Sequence, residues 1–379
     1  MILLIFMIAH GVNDGFMWVI PPLLPAIREH FHLSYTETGA LYTLYRVLGD
    51  VLQAPMTYLV YVTPAHTLMA GGLIWSSLGM ILASFSLSYG MLAWIFAISG
   101  IGRATYHPLA ATLRSRAYRR DSLGRAIALH MSGSSVGHVV APFMVGLLLP
   151  LYGWRMPIVV WSTLGLLSGF GLFSYLRKQK DHLSSVGKPL RWPFFSRPMA
   201  VYLLAVSFWG IAQAGLMTFL PLYLVDNRSF SQEKAAAIYG LMSLSGAVFR
   251  PFIGGLMDRM GSRKPVLVGG YILCGISIFG LTTSTSLGLM YFFILLLGTF
   301  GSGHSGLSDT LLIEMIPSSR REETLGFIFT IRMGIASFSP IIVGFFSERF
   351  SIATVFLILS VVPIFTALIL SRAEERPID

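Results

Sequence analysis

Charged side chains stand inside long apolar runs of this chain, at Asp14, Arg46, Asp50, Arg103, Arg250, Asp309 and Arg332. A charge that faces hydrocarbon costs about 3 kcal/mol on the insertion scale. All of them together would cost roughly 20 kcal/mol, which exceeds the net stability of a typical fold, about 5–15 kcal/mol. We therefore expect these side chains to point inward, where they pair with one another or line a water-filled cavity.

The chemistry that such groups offer is proton and ion binding. Asp14 has His10 as the basic neighbour on its own helix face, and removal from water favours the protonated form of a carboxyl group. Asp14 is therefore predicted to carry a proton, the alternative being a plain hydrogen bond with Asn13. Asp50 stands four residues after Arg46, which favours either an ion pair or a contact with a proton or a solute.

Polar residues form stripes on otherwise apolar helices, because each residue turns a helix by about 100°. His107 falls on such a stripe and is predicted to relay protons, although its place before Pro108 equally suits packing at a kink. The predicted lining of the cavity is His10, Asn13, Arg46, Gln53, Arg103, His130, His138, Gln213, His304 and Arg332. For the histidines at 130, 138 and 304 the alternative is a hydrogen-bonded core position.

The elements that must position these groups follow from composition. The chain has 379 residues, of which 54% are hydrophobic and only 12% charged, whereas soluble domains are about a quarter charged. This composition excludes a water-soluble enzyme or a nucleic-acid-binding module. The single cysteine, Cys274, supports no disulfide framework and no cysteine metal site, and we predict neither a metal nor a cofactor.

Apolar runs long enough to cross a bilayer, about 20 residues each, recur along the whole chain. We predict an all-α membrane protein with twelve transmembrane helices at roughly 2–28, 36–62, 67–88, 91–116, 122–150, 153–176, 199–226, 232–257, 265–284, 288–316, 322–347 and 351–371. The two halves resemble one another at a spacing near 200 residues, which predicts two pseudo-symmetric six-helix bundles. The predicted division is 1–176, a basic linker 177–198, and 199–379.

The orientation follows from the distribution of lysine and arginine. If the N-terminus is cytoplasmic, the inner loops and tail hold 18 of these residues and the outer loops hold 5. Because basic residues concentrate on the cytoplasmic side, both termini are predicted to be cytoplasmic. We expect a multi-pass protein of the plasma (inner) membrane, a monomer surrounded by lipid.

A loop motif begins at residue 251 and reads PFIGGLMDRMGSRK. It resembles the signature G-x-x-x-D-R-x-G-x-R-K of the major facilitator superfamily, here between the eighth and ninth predicted helices. The matching residues are Gly254, Asp258, Arg259, Gly261, Arg263 and Lys264. Glycines allow close helix contact and the basic cluster suits the cytoplasmic side, so we assign this motif to gating of the inner end. The corresponding loop from Tyr58 to His66 lacks the acidic and basic residues.

Within that superfamily, the strings HGVND at 10–14, YHP at 106–108 and GRA at 124–126 are similar to the fosmidomycin-resistance efflux group. The resemblance implies secondary active transport of a small solute by alternating access, with proton-coupled efflux of a drug-like or anionic compound. Four embedded arginines against three aspartates favour an anionic or zwitterionic solute. The alternatives are a proton-coupled uptake symporter for a carboxylate, sugar or phosphorylated metabolite, a receptor built on a transporter scaffold, and, remotely, an intramembrane serine hydrolase using Ser135 or Ser305.

Overall fold

The computed structural model describes residues 2–59, 62–107, 109–110, 120–177, 194–260, 262–302, 312, 315–317 and 320–372. Within these residues every regular element is a helix. The helices are α1 (Ile2–Phe31), α2 (Tyr35–Val51), α3 (Gln53–Tyr58), α4 (Ala65–Ser84), α5 (Tyr89–Arg103), α6 (Arg120–Tyr152), α7 (Arg155–Arg177), α8 (Arg197–Asp226), α9 (Gln232–Met260), α10 (Lys264–Thr283), α11 (Leu287–Leu297), α12 (Arg321–Ala336), α13 (Ser339–Phe350) and α14 (Ile352–Arg372).

The helices agree with the predicted set of transmembrane spans. Nine candidate spans in the described part of the chain are long and apolar enough to cross a bilayer. Shorter helices supply the others: α2 with α3 forms the second span, α5 belongs to the fourth, and α11 belongs to the tenth. The all-α architecture of two six-helix bundles is therefore confirmed, while the boundaries 1–176, 177–198 and 199–379 remain predictions.

Helix α1 tolerates three internal prolines, Pro21, Pro22 and Pro25, because other groups replace the hydrogen bonds that proline cannot donate. Pro21 leaves the carbonyl of Met17 without its usual helical donor, and the Tyr42 hydroxyl donates to that oxygen at 2.9 Å. This bond ties α2 to the middle of α1, beside the charged residues.

Two spans that the sequence predicts as single helices are each divided. The second span breaks at Leu52, between α2 and α3. The eleventh breaks between α12 and α13, just before Pro340. Proline cannot donate to the turn before it, which explains the second break. Gln53 therefore follows a break and does not continue the polar stripe of α2 on an unbroken helix.

Small residues bring the helices of the first bundle together. A Cβ atom on Gly137 would overlap the backbone of Gly11, and one on Gly133 would overlap that of Met7. Helix α1 therefore packs against α6 backbone to backbone, as small residues allow in membrane helices. The two bundles meet along α6 with α9 and along α2 with α13, where the Ile341 amide donates to Thr43 Oγ1 at 3.1 Å.

Hydrogen bonds and an ion pair join the bundles at the end where α1 finishes and α2 begins, which we call the outer end after the predicted orientation. Arg28 Nη1 lies 3.0 Å from Asp226 Oδ2, and the Tyr35 hydroxyl donates to the same oxygen at 2.7 Å. Gln232 Nε2 donates to Glu29 Oε2 at 2.6 Å. These cross-bundle contacts close the outer end in this conformation.

Candidate functional site

Asp14 lies in the middle of α1, among polar side chains from three parts of the first bundle. Asp14 Oδ2 is 3.1 Å from His10 Nε2 and Oδ1 is 3.2 Å from His107 Nε2. Asn13 Nδ2 donates to Oδ1 at 3.0 Å. The side chain of Asp14 is 14% exposed. We refer to His10, Asp14, His107, Ser134 and His138 as the histidine cluster.

His10 sits between two hydrogen-bond acceptors. Its Nδ1 is 3.0 Å from the backbone carbonyl oxygen of His130, which can only accept, so Nδ1 must carry a hydrogen. Its Nε2 is 3.1 Å from a carboxylate oxygen of Asp14, and a second hydrogen is needed there. The pair therefore holds one proton more than a neutral imidazole and a free carboxylate, either as an imidazolium or as a carboxylic acid.

The ring of His10 is held in this orientation by stacking. It lies 4.1 Å from the ring of His130 at an interplanar angle of 9° and 5.5 Å from Tyr106 on a similar plane. The Tyr106 hydroxyl donates to the carbonyl of Phe6 at 3.1 Å. His130 is 1% exposed, and its place in the stack is that of a core histidine that orients His10.

A second chain of contacts leads from Asp14 to α6. Ser134 Oγ is 2.5 Å from Asp14 Oδ2 and 3.1 Å from His138 Nε2. Because a hydroxyl has a single hydrogen and the shorter contact is to the carboxylate, we assign the Ser134 hydroxyl as donor to Asp14 and acceptor from His138. Residues 134 and 138 are one helical turn apart, which is why both reach Asp14.

His107 is the most exposed member of the histidine cluster. The side chain of His107 is 42% exposed, whereas that of His10 is 2% exposed. Among the imidazoles that contact Asp14, that of His107 therefore lies open to the exterior of the fold. Pro108 lies outside the described residues.

Asp50 joins two arginines in a separate buried group. Arg46 Nη2 lies 3.3 Å from Asp50 Oδ2 and Arg103 Nη2 lies 3.2 Å from Oδ1. Arg103 also donates to the Met17 sulfur at 2.8 Å. Gly49 provides room for the guanidinium, because a Cβ there would be 2.9 Å from Arg103 Nη1. Two arginines from different helices meet on one carboxylate, so this arginine group suits an anchor between α2 and α5.

The remaining predicted lining residues lie elsewhere. Gln213 donates to the carbonyl of Gly301 at 2.7 Å, in a π-helical turn at Gly298–Ser302, where backbone groups leave the usual helical pattern. Gln213 thus holds a helix deformation in the second bundle. Arg332 is 8% exposed and lies over Phe329, and no described contact links Gln53 to Asp50. His304 lies outside the described residues.

The predicted gating motif spans the end of α9 and the start of α10. Gly254 and Arg259 lie in α9, Arg263 caps α10 and Lys264 begins it. Gly261 and the side chain of Asp258 lie outside the described residues. The gating role of this motif stays a prediction.

A metal could be held at one place in the described part of the chain. One ligand atom each from His10, Asp14 and His107 lie within 4.8 Å of one another. The same atoms are close enough for direct hydrogen bonds, and those bonds with a shared proton account for their positions without an ion.

Sequence reasoning missed residues that complete the site. The sequence patterns single out neither Ser134, which contacts Asp14, nor Trp18, which stacks on His138 at 4.6 Å. Arg250 lines the same cleft as Trp18 and His138. Trp18 stands four residues after Asp14, and this helical spacing is the signal that could have found it.

Buried ionisable groups inside one of two six-helix bundles, which contact each other at one end, are features of a membrane transporter. The chain belongs to the Major Facilitator Superfamily, whose sequence model matches residues 6–337 and 238–378. The family and the relatives below are transporters and not enzymes, so the serine hydrolase alternative is excluded.

Individual relatives are distant. The chain is 25% identical over 309 residues to the sialic acid transporter NanX of Escherichia coli, covering 78% of this chain and 73% of NanX. It is 26% identical over 338 residues to the probable nitrate transporter NarT of Staphylococcus epidermidis, covering 86% and 84%. A crystal structure of a bacterial homologue of the human lysosomal transporter Spinster, inward-facing and occupied, matches with a TM-score of 0.86 at 16% identity, covering 98% of this chain and 97% of that one.

Proposed function

We propose that this protein moves a small organic anion across the plasma membrane by alternating access, coupled to protons that bind at Asp14. The observation that carries the proposal is the position of His10 between the His130 carbonyl and the Asp14 carboxylate. Two acceptors cannot share one neutral imidazole without an added proton. A buried pair that stores a proton and reaches water through His107 is suited to proton coupling.

Charged and titratable groups from every neighbouring part of the first bundle face Asp14. They are His10 on α1, His107 after α5 and His138 on α6. Arg103 contacts the sulfur of Met17, one turn along α1 from Asp14. Arg250 of α9 lines a cleft together with His138. Protonation of the histidine cluster therefore depends on the charge that approaches from the second bundle. We propose that His107 relays protons between water and Asp14. We assign Asp50 to the arginine group and give it no part in proton coupling.

An anionic solute is supported by two independent observations. Arg250 of the second bundle places a cation in the cleft beside His138. The names of the relatives NanX and NarT give sialic acid and nitrate, both of which are anions at neutral pH. We propose the same charge class for this chain.

The direction of transport depends on whether protons and solute cross the membrane in the same direction or in opposite directions. Proton-coupled efflux is the mode that the resemblance to the fosmidomycin-resistance group predicts, and it requires exchange of solute for protons. Uptake by symport is the second candidate, favoured by the anionic substrates named for the relatives. We retain the cytoplasmic location of both termini and the monomeric state as part of the proposal.

Transport in proteoliposomes tests the proposal. Radiolabelled sialic acid (N-acetylneuraminate) and nitrate are offered to purified wild-type protein with and without an imposed pH gradient. We expect the pH gradient to drive accumulation of at least one anion, and the sign of the gradient separates symport from exchange. The Asp14→Asn variant should lose accumulation while still exchanging labelled for unlabelled anion, because exchange needs no net proton movement.

Glu37→Gln provides the matched control. Glu37 closes the capping box of α2 with Ser34, and glutamine can occupy the same position in that motif. This variant removes a carboxylate of the same kind outside the histidine cluster, so its response to the pH gradient should equal that of wild type. A response that is lost equally in both variants, or kept in Asp14→Asn, would refute the role of Asp14.

A further inference from the structure

Helices α8 and α14 lie side by side in the second bundle. The ring of Tyr223 lies 5.1 Å from that of Phe356, and the Thr366 hydroxyl donates to the carbonyl of Ala205 at 3.2 Å. Residue numbers fall along α8 as they rise along α14, so the two helices are antiparallel. These contacts establish which residues of the two helices lie at the same depth.

Each of these helices presents a stripe of exposed apolar side chains. The side chains of both stripes are 37–60% exposed, and they are Val201, Leu204 and Phe208 on α8 and Ile358, Val361, Phe365 and Leu368 on α14. Steps of three and four residues place each set on one helix face. The stripes meet where the rings of Phe208 and Phe365 lie 6.2 Å apart. In a membrane-spanning protein, such a face packs against lipid acyl chains.

Both stripes end on an arginine at the inner end, which is the end opposite to the outer end. Arg197 is the first residue of α8, and Arg372 is the last residue of α14. Both residues are exposed and continue the faces of the stripes. Measured from the contact of Ala205 with Thr366, Arg197 lies roughly 12 Å and Arg372 roughly 9 Å toward the inner end, at 1.5 Å per residue. The two arginines therefore flank the inner end of one groove, which we call the α8–α14 groove.

The arrangement of two cations above an apolar surface matches an anionic phospholipid. A guanidinium presents paired N–H donors that fit the oxygens of a phosphate, and basic positions between transmembrane helices bind anionic headgroups. The apolar stripes below the arginines fit an acyl chain of the same molecule. Glu374 and Glu375 follow Arg372 and lie outside the described residues, so the contribution of each arginine must be measured separately.

We propose that the α8–α14 groove binds an anionic phospholipid of the leaflet at the inner end. Its phosphate lies between Arg197 and Arg372, and an acyl chain lies against Phe208 and Phe365. This is a site for a lipid and not for the transported solute, and it does not depend on the proposed function. Because both helices belong to the second bundle, the bound lipid stabilises that bundle.

Fluorescence quenching by brominated phospholipids tests the proposal at the groove itself. The full chain carries Cys274→Ala, which removes the buried native thiol, and a bimane label at Leu368→Cys. It is reconstituted into bilayers with brominated phosphatidylglycerol or brominated phosphatidylcholine. We expect phosphatidylglycerol to bind more tightly by about fivefold for each arginine that contacts its phosphate. A label at Ile358→Cys, toward the outer end of the same stripe, should show no preference.

Variants assign the preference to the two arginines. Arg197→Gln and Arg372→Gln should each lower the preference about fivefold, and the double variant should bind both lipids equally. Lysine at either position keeps the charge and should keep most of the preference. Arg349→Gln is the matched control, since Arg349 lies over Phe345 near the outer end of α13, and it should behave as wild type. Size-exclusion profiles and melting temperatures establish that each variant is folded.

Three outcomes would overturn the phospholipid site. The first is equal quenching by the two lipids in wild-type protein, or an unchanged preference in the folded double variant. The second is a preference that inorganic phosphate removes and that sodium chloride of equal ionic strength leaves intact, which would assign the arginines to a soluble anion. The third is a label that neither lipid quenches, which would show that protein, such as a second copy of this chain, covers the groove.

Discussion

Single side chains set the protonation chemistry of this transporter. His10 is fixed by stacking on His130 and by two acceptors, and this arrangement demands a proton in the pair with Asp14. Sequence spacing is sufficient to place His10 and Asp14 on one helix face. It could not show the His130 carbonyl, because that contact joins residues 120 positions apart. The inference that this pair holds a proton therefore rests on the fold, whereas the choice of Asp14 follows from the sequence.

Ser134→Ala tests the hydrogen-bond chain between Asp14 and His138. The serine hydroxyl donates to the carboxylate, and hydrogen bonds to charged groups are worth about 1.5–3 kcal/mol. Without this bond, the pH at which transport of the best anion is half-maximal should shift by about one unit. Initial rates measured across pH values in proteoliposomes give this midpoint.

Ser132→Ala is the control for that change. Ser132 is exposed on the same helix and donates to the carbonyl of Leu129, away from the cluster. Its pH profile should match that of wild type. Identical profiles for the two serine variants would remove Ser134 from the chain.

At the scale of helices, close packing of α1 against α6 determines whether the histidine cluster can form. The glycines of α1 and α6 allow their backbones to touch, so that His10 can reach the carbonyl of His130. Gly137→Ala should destabilise the folded protein by about 1–3 kcal/mol, because the added methyl overlaps the backbone of Gly11. The melting temperature in detergent and in lipid measures this loss.

Gly171→Ala is the matched substitution. Gly171 lies in helix α7 with open space around the position of a Cβ, so alanine should leave stability unchanged or raise it by about 0.5–1 kcal/mol. A Gly137→Ala protein as stable as the Gly171→Ala protein would show that α1 and α6 do not need backbone contact.

The predicted helices differ from the observed ones at the places where the regular backbone hydrogen bonding of a helix is interrupted. Apolar runs are sufficient to locate the spans, because hydrophobic length is a property of local sequence. The break before Pro340 had a visible signal in the proline. The break at Leu52 had a similar signal in Pro55, which lies in the first turn of α3. The π-helical turn at Gly298–Ser302 had none, since the group that donates to its Gly301 carbonyl, Gln213, lies 88 positions away.

At the scale of the whole molecule, the closed outer end and the cleft beside the histidine cluster belong to one state of a cycle. Sequence symmetry is sufficient to predict two bundles, but the cross-bundle pair of Arg28 and Asp226 joins residues 198 positions apart. That pair had no local pattern to reveal it. It is a candidate latch for the outer end, complementary to the gating motif predicted at the inner end.

Asp226→Asn should weaken this latch. A partly exposed ion pair contributes about 0.2–1 kcal/mol, and the Tyr35 hydroxyl loses a charged acceptor as well. We expect the outward-open population to grow up to about fivefold. Spin labels at Leu87→Cys and Phe350→Cys, one in each bundle, report the opening as a longer distance in electron double resonance.

Lys234→Gln controls for the loss of charge at the same end. Lys234 lies over Phe230 in its own bundle, so the distance distribution should stay that of wild type. An unchanged distribution in Asp226→Asn would contradict the latch.

The central claim is that proton movement through Asp14 is coupled to movement of the solute. Simultaneous measurement of both fluxes tests it most directly, using a pH-sensitive dye inside proteoliposomes and a gradient of the best-transported anion. We expect the anion gradient to drive proton movement in proportion to solute flux in wild-type protein. In Asp14→Asn we expect anion exchange without proton movement. Proton movement of wild-type size in that variant would contradict the account.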